Sequence, residues 1–331
     1  MLERLRSLAL RDLGAIVVLS ETRHFGRAAA RLDITQPALS ALVRRVETAL
    51  GRRLFDRSSR HCTLTPEGVT AVETIDHVLR GLHALEAGPP APGVLAGAVR
   101  IGMIPTLGPY YVPFFLPALV RAFPDARFQF SEALTDELIA QLRARRVDAA
   151  LLALPTHAAD LAEFPLFEEE LALALPRTHP VAAQAGRLAY ADVPRDDLIL
   201  LGPGHCLRTQ TMELCGRAGT GAAPVHATGL EVLRYMVSAG VGCAVMPALA
   251  INGDRSFRDL VRYRRFRTPV PTRTIALAAP RTAAGLHVAQ LLAGLLQSLE
   301  VPSTVVDGTM GEPTAERRRA GAKRPGGAAK R

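Results

Sequence analysis

The spacing of apolar residues changes near Ala98, and this change constrains the fold more than any other feature of the chain. Before Ala98, apolar residues recur with the period of an amphipathic helix. After it, short apolar runs alternate with helical patterns, which is typical of an α/β domain with a mainly parallel sheet. A chain of 331 residues is also long enough for two or more domains. We therefore expect a helical N-terminal domain followed by an α/β domain.

The N-terminal region predicts three helices in close succession. Residues 9–22 carry apolar side chains at helical spacing, and Gly26–Leu32 is rich in alanine. A third helix begins with Thr35 as its N-cap and Pro37 in its first turn. Gly51 follows as the residue that ends it.

This third helix has an apolar side and a polar side. At 3.6 residues per turn its apolar residues fall in one arc of about 100°. Small and hydrogen-bonding side chains lie beside that arc, as a recognition helix needs in a DNA major groove. An ordinary surface helix would also be polar there, but it is usually more acidic. The candidate DNA-contacting residues are Thr35, Gln36, Pro37, Ser40 and Arg44.

A basic hairpin and a long helix follow. Residues 54–64 predict a hairpin with Arg57 near its tip, and such a wing suits DNA phosphates. We expect Cys62, in the same hairpin, to pack. Thr65-Pro66-Glu67 then provides the cap, proline and acidic residue of a strong helix start.

That helix is predicted to run to about Ala87. Its apolar stripe from Val69 to Leu85 is wide, which predicts a partner helix. The Gly- and Pro-rich residues 88–93 predict a hinge.

Positive charge is concentrated at the two ends of the chain. Of the net charge of +9, residues 1–70 carry +5, with 12 arginines against 7 acidic residues. Residues 301–331 carry +4, with 7 basic against 3 acidic residues. A basic head on a neutral body indicates a nucleic-acid-binding domain. The Gly, Ala and Pro content of residues 301–331 predicts a disordered basic tail.

Two of the four cysteines, Cys206 and Cys215, are nine positions apart. If the segment is helical, a rise of ~1.5 Å per residue separates their Cα atoms by roughly 13 Å. A disulfide needs Cα atoms within about 7 Å, so the bond requires the segment to unwind. The pair fits neither zinc spacing nor a Cys-x-x-Cys motif, and a redox switch is one interpretation. The alternative is that each cysteine is a small buried hydrophobic residue.

The sequence has no pattern of a secretory signal and no apolar run of the ~18 residues that span a membrane. We therefore expect a cytoplasmic protein, in which disulfides are transient. We expect neither a cofactor nor a bound metal.

Five short motifs stand out in the N-terminal region: Phe25–Ala29, Thr35–Ser40, Leu50-Gly51, Leu54–Arg57 and Leu64–Gly68. Together they resemble the winged helix-turn-helix and linker helix of LysR-type transcriptional regulators. The resemblance implies that Gln36, Pro37 and Ser40 lie at the DNA groove and Arg57 lies in the wing. Ala41 stands where the family commonly has arginine or lysine, so one phosphate contact is expected to be missing.

The resemblance also implies a domain organisation, with a two-lobed α/β effector domain like that of periplasmic binding proteins. Clefts between such lobes bind ligands. The implied divisions are a DNA-binding domain at 1–65, a linker helix and hinge at 66–93, an effector domain at 94–300 and the tail at 301–331. The two effector subdomains would be about 94–167 plus 269–300, and about 168–268.

Within that family, three motifs carry a closer resemblance: Ile104–Tyr110, Gly204–Arg208 with Cys215, and Arg273–Ile275. They are similar to OxyR-type hydrogen peroxide sensors, and the similarity extends over nearly all of residues 8–300. It implies Cys206 as the peroxidatic thiol and Cys215 as the resolving thiol. The peroxide pocket would be lined by Thr106, Thr135, His205 and Arg273.

In such a sensor, Arg273 and the N-terminal end of a helix beginning near Cys206 would stabilise the reactive thiolate. Attack on peroxide gives a sulfenic acid, which condenses with Cys215. Thr209 stands where many relatives have aspartate, and Gly202-Pro203 where they are often acidic. These departures are expected to alter the rate or the redox threshold.

The implied partners are operator DNA, hydrogen peroxide, further copies of the chain in a homodimer or homotetramer, and RNA polymerase. Because no substrate is turned over, we expect a regulator rather than an enzyme. Two alternatives stay open. One is a LysR-type regulator gated by a small organic ligand, with both cysteines inert. The other is a thiol peroxidase, although such an enzyme has no use for a winged helix.

Overall fold

The computed structural model describes residues 8–57, 62–87, 93–216, 226–253, 257 and 259–305. Within these residues the chain forms two compact units. The first contains the chain up to Arg100 with Phe123–Phe128 and Ala140–Asp148, and the second contains Ile101–Ala122, Gln129–Ile139 and the chain from Ala149 onward. Among the described helices, none has the length and apolar character needed to cross a membrane.

Three helices form the core of the first unit. They are α1 (Leu10–Thr22), α2 (Phe25–Arg31) and α3 (Gln36–Leu50), each close to its predicted bounds. The Thr35 hydroxyl caps α3 by accepting a hydrogen bond from the Ala38 N–H at 3.3 Å. Gly51 ends the helix in the left-handed conformation, at φ 70°. The buried residues that join these helices include Ile16, Leu19, Ala28, Leu39 and Val43.

A short hairpin follows, with β1 (Phe55–Arg57) antiparallel to β2 (Cys62–Leu64). Glu47 Oε1 accepts hydrogen bonds from the backbone N–H groups of Leu54 at 2.9 Å and Phe55 at 3.2 Å. The third helix therefore fixes where the hairpin begins. Cys62 is buried in the helical core, as predicted. The predicted wing tip, residues 58–61, lies outside the described residues.

The predicted linker helix is confirmed as α4 (Pro66–Ala87). The Thr65 hydroxyl accepts a hydrogen bond from the Gly68 N–H at 2.9 Å. A Cβ on Gly68 would lie 2.0 Å from the Leu54 carbonyl oxygen, so only glycine allows this close approach of α4 to the hairpin.

The apolar residues of α4 face more than one direction. Ile75 is buried in the core of the first unit, and Val72 and Leu79 pack partly against it. Val69 and Val78 are instead exposed. Part of the predicted stripe therefore serves the chain's own core, while Val69 and Val78 lie outside that core. Residues 88–92 of the predicted hinge lie outside the described residues.

The α/β part of the chain is built on a seven-stranded sheet. Its strands are β3 (Gly97–Met103), β4 (Ala126–Glu132), β5 (Ala149–Ala153), β6 (Leu161–Pro176), β9 (Ala244–Pro247), β10 (Val261–Arg265) and β11 (Thr272–Pro280). The strand order is β10–β6–β11–β5–β3–β4, and β9 also pairs with β6. A separate two-stranded parallel ladder joins β7 (Leu200–Leu201) to β8 (His226–Ala227).

Among the described residues of this region, six helices accompany the sheet: α5 (Gly108–Ala122), α6 (Thr135–Arg143), α7 (Cys206–Leu214), α8 (Leu230–Ser238), α9 (Ala248–Asn252) and α10 (Ala283–Gln297). Short 3₁₀ turns occur at Pro180–Ala183, Tyr190–Asp192 and Arg195–Asp197. The sequence pattern predicts helices at Pro109–Ala122, Thr135–Arg145, Leu230–Ala239 and Leu286–Glu300, and a helix is present at each of these places. The unpredicted α9 has five residues, too few for a helical period to show in the sequence.

The prediction of a mainly parallel sheet is wrong, because the pairing is mixed. β3 runs parallel to β5, as expected for strands joined through helices. However, β11 is antiparallel to both β5 and β6, and β6 is antiparallel to β9 and β10. The long returning strands β6 and β11 impose this pattern.

The pattern of Phe164–Leu175 predicts two strands, and this prediction is also wrong, because β6 is one strand of 16 residues. The polar run Glu168–Glu170 interrupts the apolar pattern and suggests a break. In the fold each glutamate has a partner side chain: Thr274 for Glu168, Arg273 for Glu169 and Arg265 for Glu170. These partners allow the strand to continue through the polar run.

The start of the predicted disordered tail is ordered. Val305 is 3% exposed, and its backbone N–H donates to Glu170 Oε2 at 3.1 Å. Asn252 Nδ2 donates to the carbonyl oxygens of Pro302 and Thr304, both at 2.8 Å. These contacts correct the prediction for residues 301–305, while residues 306–331 lie outside the described residues.

Candidate functional site

The two cysteines of the predicted switch lie at opposite ends of α7. Cys206 is its first residue and is half-buried, whereas Cys215 follows its last residue and is 0% exposed. The predicted helix between them is confirmed. At ~1.5 Å per residue, nine residues of helix hold the two Cα atoms roughly 13 Å apart. Neither thiol is in a disulfide, and in this conformation the two cannot form one.

Cys206 lines a narrow cavity in the second unit, which in this conformation has no room for the centre of a water-sized sphere. The structure thus brings Cys206 together with three of the four predicted pocket residues, Thr106, Thr135 and His205. The complete lining is Ile104, Pro105, Thr106, Leu134, Thr135, Gly204, His205 and Cys206.

Two helices begin at this cavity. Thr135 is the first residue of α6 and Cys206 is the first residue of α7. No side chain caps α7, since His205 makes no capping hydrogen bond. A helix N-terminus carries a partial positive charge from its unpaired N–H groups. Both helix N-termini therefore present positive electrostatic potential to the cavity.

The polar groups of the cavity are available to a ligand. The Thr135 hydroxyl oxygen is buried and has no hydrogen-bond partner among the described residues. Burial lowers the pKa of His205, so its imidazole is neutral at pH 7 and can donate or accept a hydrogen bond. A small polar molecule would satisfy the hydroxyl at the point where Cys206 is exposed.

Arg273 lies behind this lining rather than in it. Its side chain is 0% exposed, and Nη2 is 2.8 Å from Glu169 Oε2 in a buried ion pair. Nη1 donates to the Thr106 hydroxyl and Nη2 donates to the Thr106 carbonyl oxygen, each at 2.9 Å. The sequence-based expectation that Arg273 lines the pocket is corrected, because Arg273 contacts the cavity through Thr106.

Gly204 shapes the approach of α7 to α6. Its φ is +88°, and a Cβ at this position would lie 2.8 Å from Leu134 Cδ1. Glycine is the residue that tolerates both the left-handed conformation and the contact. It allows His205 and Cys206 to lie against the start of α6.

Three residues of this region were missed by sequence reasoning. Glu169 holds Arg273, and its only signal in the sequence was a charged run inside an apolar strand. Gln210 lies one turn after Cys206 on α7, and its Oε1 is buried without a partner among the described residues. Neither position follows from a motif.

Cys243 is the third missed residue, because sequence spacing gave it no partner. In the fold, Cys215 and Cys243 belong to the same buried core. Burial raises the pKa of the Cys243 thiol to about 12, with smaller contributions from Asp197 and from Cys215.

The predicted DNA-contacting residues lie on one helix, with one exception. Thr35, Gln36, Pro37 and Arg44 are exposed at or along α3, and Ser40 is half-exposed. Arg57 is the last residue of β1, on the hairpin. Ala41, the departure from the family pattern, is exposed on α3.

Two family models together match most of the chain. Residues 10–69 match the bacterial regulatory helix-turn-helix protein of the lysR family, and residues 92–300 match the LysR substrate binding domain. The chain belongs to the LysR family. The predicted combination of an N-terminal helix-turn-helix and a two-lobed α/β effector fold is thereby confirmed.

Curated relatives of this LysR-family chain carry a more specific description. The hydrogen peroxide-inducible genes activator of Dickeya chrysanthemi is 41% identical over 270 residues, covering 81% of this chain and 88% of the relative. The DNA-binding transcriptional dual regulator OxyR of Escherichia coli K12 is 40% identical over 270 residues, with the same coverage of both chains. The resemblance to OxyR-type proteins is thus confirmed.

Solved structures agree. A full-length OxyR variant from Pseudomonas aeruginosa is 34% identical to this LysR-family chain, with a TM-score of 0.67, covering 90% of this chain and 98% of the other. A cysteine-to-serine variant of Corynebacterium glutamicum OxyR with bound H2O2 is 31% identical, with a TM-score of 0.60, covering 87% and 91%.

Proposed function

We propose that this protein is a DNA-binding transcriptional regulator that senses hydrogen peroxide through oxidation of Cys206. The observation that carries the proposal is the cavity itself. A half-buried thiol at a helix N-terminus lines the same cavity as Thr135, whose buried hydroxyl has no partner in the described part of the chain. The relatives described as hydrogen peroxide-inducible activators support the same function.

The chemistry begins with the Cys206 thiolate, the nucleophilic form of the side chain. It attacks one peroxide oxygen, an S–O bond forms and the O–O bond breaks. The other oxygen leaves with the bonding electron pair as hydroxide and becomes water on taking a proton. The hydroxyls of Thr106 and Thr135 and the neutral imidazole of His205 supply hydrogen bonds to the oxygen on which charge develops. Cys206 becomes a sulfenic acid.

The second step needs a change of fold. The Cys215 thiolate attacks the Cys206 sulfur, the S–O bond breaks, and the oxygen leaves as water after protonation. Because Cys215 is buried at the far end of α7, the helix must unwind and Cys215 must leave the core. The oxidised segment therefore repacks, and we propose that this repacking changes how two copies of the chain are arranged on DNA.

The first unit would read the operator. The exposed polar residues of α3 suit the major groove, and the hairpin suits phosphates. One recognition helix reads only a half-site, so we propose a dimer, with homotetramers formed through a second interface. We also propose contact with RNA polymerase and action in the cytoplasm, where a DNA-binding regulator meets its operator. The protein would be a regulator rather than an enzyme, since the proposed response needs no separate substrate to be turned over and a peroxidase has no use for a DNA-binding domain.

A small organic ligand in the cavity is the alternative. Pockets for such ligands usually enclose about 300–1,000 Å³. In this conformation the cavity beside Cys206 has no room for the centre of a water-sized sphere, so an organic ligand of that size does not fit it.

Mass spectrometry of the peroxide-treated protein, read beside a transcription assay, tests the proposal. We expect a Cys206–Cys215 bond in the parent. The Cys215→Ser variant should form a sulfenic acid or over-oxidise at Cys206, and Cys206→Ser should lose the response while keeping DNA binding. A Cys206→Ser variant that responds to peroxide like the parent would overturn the proposal in favour of the organic-ligand alternative.

A further inference from the structure

Glu169 has no contact with the cavity, yet both of its carboxylate oxygens are committed to fixed partners. Oε2 accepts a hydrogen bond from Arg273 Nε at 2.9 Å. Oε1 accepts a hydrogen bond from the backbone N–H of Leu249, in the short helix α9, also at 2.9 Å. The residue is 0% exposed. A carboxylate held at both oxygens has little freedom, so it can fix the side chain that it binds.

Arg273 in turn fixes the position of Thr106. Its guanidinium is a rigid planar fork, and the N–H groups not directed at Glu169 reach two atoms of one residue. Nη1 donates to the Thr106 hydroxyl and Nη2 to the Thr106 carbonyl oxygen. Side chain and backbone of Thr106 are thus held together, and Thr106 is 2% exposed.

The direction of these hydrogen bonds sets the direction of one proton. The Thr106 hydroxyl oxygen accepts from Arg273, so its own hydrogen points away from the guanidinium. Thr106 lines the cavity that contains Cys206. Within the part of the chain that the structure describes, this hydroxyl hydrogen has no protein acceptor. It is therefore free to donate into the cavity.

We propose that Glu169 is a positioning residue for the reaction of Cys206 with peroxide, acting through Arg273 on the Thr106 hydroxyl. This inference rests on the proposed function. As the O–O bond breaks, the leaving oxygen gains the electron pair, and the directed Thr106 hydrogen stabilises it until solvent supplies the proton. Glu169 also neutralises the charge of Arg273. The cavity therefore has an oriented hydrogen-bond donor, the Thr106 hydroxyl, and no unpaired buried cation beside it.

The test compares two reactions of the same thiol. Rates with hydrogen peroxide and with iodoacetamide both depend on the Cys206 thiolate, so at one pH their ratio cancels the thiolate fraction. Only peroxide needs a donor to a leaving oxygen. Glu169→Gln should lower the peroxide-to-iodoacetamide ratio by up to about 100-fold, the lower end of the range for loss of a transition-state hydrogen-bond donor. Glu168→Gln is the matched control, because Glu168 is the exposed neighbour on the same strand, and its ratio should equal that of the parent.

A second variant and a double-mutant cycle keep the test informative if Glu169→Gln does not fold. Glu169→Asp keeps the buried charge but withdraws the carboxylate from Arg273, and it should also lower the ratio. If Glu169 acts through Thr106, the Thr106→Val single variant and its combination with Glu169→Gln should have equal ratios. An unchanged ratio in a folded Glu169 variant, or additive effects in the cycle, would overturn the inference alone. A parent protein whose Cys206 is alkylated but does not react with peroxide would overturn the proposed function instead.

Discussion

Cys215 and Cys243 are both 0% exposed in one hydrophobic core, although 28 positions separate them in sequence. This core also contains Leu207 of α7 and the buried residues Leu198–Leu201. The proposed resolving thiol is therefore part of a packed interior in the reduced protein. Its reactivity depends on local unfolding, whereas that of Cys206 does not.

We predict a large difference in accessibility among the four thiols. In the native reduced protein a maleimide should label Cys206 at least 100-fold faster than Cys62, Cys215 or Cys243, because exchange with the buried sites needs local opening. Raising the pH to 10 should not ionise the Cys243 thiol or speed its labelling, because burial raises the pKa of Cys243 to about 12. Peptide mapping of labelled samples with time gives the four rates. Equal labelling of Cys206 and Cys215 without denaturant would contradict the burial of Cys215.

The buried Thr135 hydroxyl gives a second prediction. Thr135→Val keeps the shape of the side chain and removes the hydroxyl, so it should slow oxidation of Cys206 by peroxide about 100- to 1,000-fold, as for loss of one transition-state donor. Thr135→Ser keeps the hydroxyl and should retain most of the rate. Stopped-flow measurement of thiol loss distinguishes the two. The role of the hydroxyl would be excluded by equal rates in the valine and serine variants.

The conformation of Gly204 gives a third prediction. Gly204→Ala places a side chain at φ +88° and against Leu134, which should cost about 1–3 kcal/mol and displace Cys206 from the start of α6. Gly202→Ala is the control, because a Cβ there meets only the Ala227 carbonyl oxygen, at 3.8 Å. Gly204→Ala should have a lower free energy of unfolding in chemical denaturation and slower oxidation by peroxide than Gly202→Ala. Similar stability of the two alanine variants would show that Gly204 is not constrained as described.

A fourth prediction concerns DNA. Gln36→Ala removes an exposed hydrogen-bonding group at the start of α3, so it should relax base preference by about 1–3 kcal/mol at one position of each half-site. Arg57→Ala should instead weaken binding to all sequences and reduce the salt dependence by about one phosphate contact. Titrations of operator variants at several salt concentrations measure both effects. The assignments would have to be exchanged if Arg57→Ala altered base preference and Gln36→Ala did not.

The elements with local signals were predictable from the sequence. Thr35, Pro37 and Gly51 define both ends of α3 by capping chemistry, and Thr65-Pro66 defines the start of α4. The α7 segment was predictable as a helix with one cysteine at each end. Three of the cavity residues followed from motifs that lie close to helix starts.

The parts that depend on distant contacts were not predictable. The run Glu168–Glu170 indicates a break when read alone, and only its partners on other strands, among them Arg273 and Arg265, explain why β6 continues. The proximity of Cys215 and Cys243 likewise arises from chain folding. Arg273 was expected to line the cavity, but its ion pair with the buried Glu169 holds it behind Thr106.

The anchored residues 301–305 carry a practical consequence for shortening the chain. A truncated protein that ends after Val305 keeps the Val305 N–H on Glu170 and both carbonyl groups on Asn252. A truncated protein that ends after Glu300 lacks those three hydrogen bonds. It also exposes the core residues against which Val305 packs. The basic segment after Val305 can thus be deleted to measure its own contribution to DNA affinity, whereas a deletion five residues longer would confuse that measurement with a loss of stability.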